Sequence, residues 1–372
     1  MSRLSLTPLA AAVLFAGCGP KAAAPETGPA AGSPSVVRAA GPSNGSPGSA
    51  PVVVSVNAAA VADQLPKDGL ALPGLAWDVF RVALSADGKQ LVTAGGHFGK
   101  PELKVWDLPG GKAAKELKGH SNSLHAAALA QASPVLASGD DSGYVLVRNL
   151  SDEKELLNKK ATQGYVYSVA LTADGRTLAT GCGVLDFGSG KDSGEVKVWD
   201  VATGNGRELK GHERNVLGVA LTADGKTLAS GGGDKTVRLW DVANGKELKK
   251  LEGHTDGVNS VALSADGKVL ASGGADKLVI VWDVNTGKPA HTLKGHTGEV
   301  SSVALSADGK LLASGGADKT VRLWDTASGK EVATVKAPDE VLGVALTPDG
   351  KVLAAGGRKK SAKVWSVAAV RK

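Results

Sequence analysis

"GHTDGVNSVALSADGKVLASGGADKLVIVWDVNTGK", Gly253 to Lys288, recurs as "GHTGEVSSVALSADGKLLASGGADKTVRLWDTASGK" (Gly295 to Lys330) and "GHERNVLGVALTADGKTLASGGGDKTVRLWDVANGK" (Gly211 to Lys246). Trp240, Trp282 and Trp324 stand 42 residues apart, and a fixed period of that length marks an array of supersecondary units. Within one unit VNSVALS, KVLASGG and LVIVWDV alternate or run apolar over strand length, separated by the turn tripeptides ADG, GAD and TGK. A fourth, more polar strand, KELKKLEGH, precedes the next unit.

Weaker copies extend the array both ways. VALSADG at Val82, AALAQAS at Ala127, VALTADG at Val169 and VALTPDG at Val344 bring the count to seven. The corresponding strand ends are Trp106-Asp107, Arg148-Asn149, Trp199-Asp200 and Trp365-Ser366. One four-stranded sheet cannot cover its own faces, so neighbouring copies must stack, and seven stacked radially close into a ring. The expected fold is all-β: a seven-bladed β-propeller of four-stranded antiparallel blades.

The Gly-His that opens and the Trp-Asp that closes the three best-matched repeats resemble the WD-repeat (WD40) β-propeller family, the resemblance extending over about residues 65 to 372. The resemblance implies that the outermost strand of each sequence repeat belongs to the preceding blade. Because the chain stops just after Trp365, the last blade then lacks a strand, expected from the N-terminal side near Leu65 to Pro73, with PVVVSV (Pro51 to Val56) as the alternative donor. It also implies a hydrogen-bonded network in each blade, carried here by His212, Ser230, Asp234 and Trp240; by His254, Ser272, Asp276 and Trp282; and by His296, Ser314, Asp318 and Trp324. Ser, His and Asp together have the composition of a catalytic triad, but their recurrence at one register in three blades reads as structure. Leu75, Thr162 and Ala337 replace the His in repeats one, three and seven, Lys359 replaces the Asp in repeat seven, and Arg148 replaces the Trp in repeat two, which keeps His120.

The first residues are read separately. MSRLSLTPLAAAVLFAGCG has Arg3 in a short positive region and an apolar run from about Leu9 to Ala16, shorter than the roughly 20 residues a spanning helix needs. FAGC (Phe15 to Cys18) resembles the lipobox of bacterial lipoproteins, which implies acylation of Cys18 and an exported, lipid-anchored protein; Gly19 after the cysteine favours the outer membrane or its periplasmic face if the cell is Gram-negative. Residues 1–18 are thus expected to be a signal peptide, 19–50 an Ala, Pro, Gly and Ser tether too poor in large apolar residues to fold, and 51–372 the propeller. Cys182 is the one cysteine besides Cys18, so no intramolecular disulfide is expected in the mature domain.

GVLDFGSGKDSGEV (Gly183 to Val196) contains three suggestive words. The GSGK fails the phosphate-loop pattern, with Leu185 at the first glycine and Asp192 at the Ser/Thr. The DFG lacks the other kinase motifs, and Asp186, Asp192 and Glu195 do not follow a calcium loop. The stretch is instead an insertion of nine residues between the second and third strands of repeat three; HFGKP is a shorter one in repeat one. Propeller geometry puts such loops on one rim, and the chain's aromatics outside the signal and the strand-ending tryptophans gather there: Trp77, Phe80, Phe98, Tyr144, Tyr165, Tyr167 and Phe187, joined by His125, with Asp140, Asp141 and Asp186 for polar contacts. Aromatic side chains often anchor binding surfaces.

A net charge of +6 raises the question of nucleic acid, yet lysines recur in DGK and TGK turns, those of DGK (Lys89, Lys226, Lys268, Lys310 and Lys351) beside an Asp, spread around the circumference. No cofactor, metal set or nucleic-acid partner is expected. The expected function is a membrane-tethered scaffold, with a monomeric propeller, that binds a protein or peptide through the aromatic rim of blades one to three; an exported enzyme or small-ligand sensor using the central funnel is the alternative.

Overall fold

Alternation of valine with small residues makes each repeat a run of short strands whose two faces are both apolar, and the chain buries both faces by stacking sheet on sheet. In the computed structural model, which describes residues 58–184 and 193–371, seven four-stranded antiparallel sheets follow one another. Blade 5 is typical, with strands Val258–Leu263, Val269–Gly274, Val279–Asp283 and Lys288–Leu293 ordered from the axis outward. Its register opposes Leu270 to Trp282 and Ser272 to Ile280.

Packing between blades explains the glycine pairs. A Cβ on Gly273 would lie 2.5 Å from Val300 Cγ1, and one on Gly315 would lie 2.4 Å from Val341 Cγ1. The next blade's inner strand therefore packs directly on the glycine backbone, and no larger residue fits without displacing a valine. On the opposite rim the ADG turns are linked from blade to blade by backbone bonds, including Ala223 N–H to Ala265 O at 3.2 Å and Ala265 N–H to Ala307 O at 3.0 Å.

The last blade is completed from the other end of the chain. Leu70–Ala71 pairs antiparallel with Ser361–Ser366, Leu70 opposite Val364 and Ala71 opposite Lys363, so the segment near Leu65 to Pro73 supplies the strand. Pro51 to Val56, the alternative donor, lies outside the described residues. Just before this strand a four-residue helix, Ala59–Ala62, buries Val61 and Ala62, and Ala58 N–H donates to Asp349 Oδ2 at 2.8 Å. After Ser366 the chain turns into a second four-residue helix, Val367–Val370.

The insertions of repeats one and three become long hairpins. Gln90–His97 pairs with Lys100–Asp107, and Thr177–Val184 with Ser193–Asp200, each strand eight residues long where those of blades 4 and 6 have six. Phe98 sits at the first hairpin's tip. Phe187 and Asp186 of the second lie outside the described residues, as does Cys18.

Candidate functional site

The serines of the repeated network sit at the centre of each blade. Trp282 Nε1 can only donate, and it donates to Ser272 Oγ at 2.8 Å. The serine hydroxyl then donates to His254 Nε2 at 2.8 Å, leaving Nδ1–H to donate to Asp276 at 2.9 Å. Blade 4 repeats this with Trp240, Ser230, His212 and Asp234, and blade 6 with Trp324, Ser314, His296 and Asp318. All three serines are 0% exposed, so no substrate can reach these hydroxyls.

Electrostatics match that role. Burial pushes His254 and His296 below the ordinary histidine value, against the pull of Asp276 and Asp318. Burial alone would raise Asp234 and Asp318, but hydrogen bonds from the histidine, a threonine hydroxyl and a backbone amide hold both below the usual carboxylate range. Cys182 is 0% exposed and burial pushes its thiol up to about 12, so it behaves as a small core residue.

Blade 2 contains a fourth network. His120 Nδ1 lies 2.8 Å from Asp140 Oδ2, and Nε2 lies 2.8 Å from Ser138 Oγ. Asp140, expected to make rim contacts, is 1% exposed and committed to this histidine. Blades 1 and 3, which lack the His, use an acid and a lysine on the third strand. Glu102 accepts from the Ala76 and Trp77 amides and from Lys104 Nζ, while Lys197 Nζ joins Glu195 to Ala161 O. Trp106 and Trp199 keep their bonds, now to Thr93 and Thr180.

The rim has its own seven-fold feature. Every inner strand skips one residue in its pairing with the second strand, and the skipped residues are Phe80, His125, Tyr167, Leu217, Asn259, Ser301 and Leu342. A bulge re-aims the side chain it carries, and all seven are half-buried in a closed ring of inner strands. From blade 7 through blade 4 the positions read Leu, Phe, His, Tyr, Leu; blades 5 and 6 place Asn and Ser. The axial mouth is therefore apolar and aromatic on one arc and polar on the other.

The expected rim residues fall into separate groups. Phe80 stacks on His125 at 4.3 Å, and His125 Nε2 lies 3.2 Å from Asp141 Oδ1. Tyr165 and Tyr167 meet at 5.7 Å. Trp77 stacks on His97 at 5.5 Å, and Phe98, 71% exposed, meets the edge of His97 at 4.8 Å. Tyr144, 40% exposed, starts a third strand and stands farther from the axis beneath Lys160, whose Nζ is 5.6 Å from the ring.

Known proteins match parts of this chain. Residues 154–200 and 205–241 match the family described as WD domain, G-beta repeat. Those two segments are similar to WD40 repeats. Residues 238–365 match a second description, IFT122 first beta-propeller. WD repeat-containing protein SL1-17 of Schistosoma mansoni is 28% identical over 145 residues, 39% of this chain and 45% of that protein. U3 small nucleolar RNA-associated protein 15 of Schizosaccharomyces pombe is 33% identical over 96 residues, 25% of this chain and 18% of that protein. The chain thus spans less than half the length of either relative.

Two features of the ring escape a reading of motifs. The ring of bulge residues is found only by aligning all seven repeats on VAL and looking two positions upstream of its first residue. The next position is small in six repeats, Ala126, Ser168, Gly218, Ser260, Ser302 and Gly343, but is Arg81 in the first. Among the described residues no group of three or more His, Cys, Asp or Glu could hold a metal ion, and no helix is long and apolar enough to cross a membrane.

Proposed function

We propose that this chain is an exported, lipid-anchored WD40 scaffold that binds a protein or peptide partner through the aromatic arc of blades 1 to 3. WD40 propellers generally act as interaction scaffolds, but a fold alone does not assign a function. The observation that carries the choice of surface is the run Phe80, His125, Tyr167 at equivalent bulge positions of three adjacent blades. Half-buried rings held from behind keep few rotors to freeze on binding, and each offers a large apolar face.

The anchor and localisation rest on the sequence around Cys18 and on the tether that follows it. That tether of about 30 residues would reach roughly 30 Å as a coil, so the ring could meet a partner clear of the bilayer as a monomer. The buried Ser-His-Asp sets weigh against an enzyme, because their hydroxyls are sealed between strands.

The reading is tested with two variants in cells. Replacing Tyr165 and Tyr167 together by Ala is expected to abolish cross-linking to the partner while the melting temperature falls by only a few degrees; retained cross-linking would remove the rim from the account. Cys18→Ala is expected to move the protein from the membrane to the soluble fraction, and unchanged retention would remove the lipid anchor.

A further inference from the structure

Arg81 is the exception in a position built for small side chains. In three other blades this position is a serine that ties neighbouring inner strands together: Ser168 accepts from the Val219 amide, Ser260 from Val303 and Ser302 from Val344, each at 3.1 Å. Arg81 is too long for that bond. Its Nη1 donates instead to Phe80 O and Leu342 O, both at 3.0 Å, the carbonyls of two adjacent bulge residues. The guanidinium is thereby fixed against the inner strands of blades 7 and 1, beside Phe80. Among the described residues those two bonds are its only ones, so its Nε and Nη2 have no acceptor and no carboxylate partner, and the residue as a whole is half-buried. Burial has already stripped enough water from this group to push it down to about 10.

The surrounding acids are taken. Asp78 and Glu340 pair with Arg358, Asp339 with Lys319 and Lys359, and Asp141 with His125. Cations are left over on the same rim: Lys100 and Lys360 flank the Trp77 ring at 5.5 and 5.9 Å and have no carboxylate among the described residues. An arginine with one edge held by carbonyls and the Nε–Nη2 edge open matches the two parallel acceptors of a carboxylate. One unpaired positive charge in a partly dehydrated channel is balanced by one monoanion, and less well by a phosphate dianion.

We infer that Arg81 is the anchor point for a carboxylate of the bound peptide, an Asp or Glu side chain or a free C-terminus, entering the axial channel past Phe80. This rests on the rim reading above and names the chemistry of the partner it takes. The aromatic arc grips the apolar part of the segment, while Lys100 and Lys360 favour further acidic residues at the edge of blades 1 and 7.

A display library of random short peptides, panned on the whole chain, tests it. Selected peptides are expected to share an acidic residue or to need a free C-terminus. Converting that group to its amide should weaken binding about tenfold on the native protein and leave binding to Arg81→Gln unchanged. Arg81→Lys, which keeps the charge and loses the fork, should fall between, and unaltered melting of both variants shows that the ring is intact. Peptides that bind with no acidic preference, or an amide penalty equal in native and Arg81→Gln protein, would overturn the inference and leave the rim standing. Competition by inorganic phosphate stronger than by acetate would overturn the carboxylate assignment. Peptides unaffected by Tyr165→Ala with Tyr167→Ala, or none selected, would overturn the rim reading and this inference with it.

Discussion

Phe80 of the first blade stacks on His125 of the second with ring centroids 4.3 Å apart and planes 17° from parallel. Two blades thus present one continuous surface at the mouth of the channel, although their residues are 45 apart in sequence. Only a ring in which inner strands are neighbours could bring them together.

That stack separates surface from core. Phe80→Ala removes a half-buried ring and is expected to cost about 1 kcal/mol of stability, whereas Val79→Ala, at a site 1% exposed, is expected to cost about 2 kcal/mol despite the smaller deletion. Peptide affinity should respond in the opposite order, falling strongly for Phe80→Ala and little for Val79→Ala. Denaturant unfolding alongside binding measures both, and a larger stability loss for Phe80 would place it in the core.

Ser272 holds two groups that have no other partner at that depth. Ser272→Ala leaves Trp282 Nε1–H and His254 Nε2 without their bonds, an expected cost of about 3 kcal/mol. Ser121→Ala, at an exposed loop position, should change stability by less than about 0.5 kcal/mol. Equal effects in urea titrations would mean that the network contributes nothing.

Acid should loosen the ring in two stages. His254 and His296 lie below the ordinary value of 6.5 when folded, so as pH falls through that value the unfolded chain takes up protons first. Their contribution is whole above about 6.5 and is lost as pH falls toward the folded values. Asp234 and Asp318 are also depressed, from 3.8; their contribution is whole above that value and is lost below it. The melting temperature is therefore expected to hold from pH 8 to 7, decline below about 6.5 and drop more steeply below about 4. A melting temperature constant from pH 7 to 5 would contradict the histidine part.

Much of this molecule is legible without coordinates because repetition exposes it. The spacing of Trp240, Trp282 and Trp324 gives the blade, and the strand expected near Leu65 to Pro73 to complete the last one is found at Leu70–Ala71. The rim is less legible. Sequence groups Tyr144 with Tyr165 because both flank loops on one side, but a strand's distance from the axis is invisible to spacing, and Tyr144 stands on the third strand. Asp140 reads as a surface acid because Arg148 disguises blade 2 as degenerate, yet His120 buries it. Arg81 escapes notice because a charged residue on a short strand ordinarily faces water, and only the bulge geometry turns it toward the carbonyls of Phe80 and Leu342.

The central claim is that the partner meets the rim carrying Tyr167 and not the opposite one. A photo-crosslinking amino acid placed at position 167, and in a separate strain at exposed position 203 in a turn on the other rim, compares the two faces in intact cells. The account predicts a discrete adduct from position 167 and none from position 203. An adduct from 203 alone, or equal adducts from both, would contradict it.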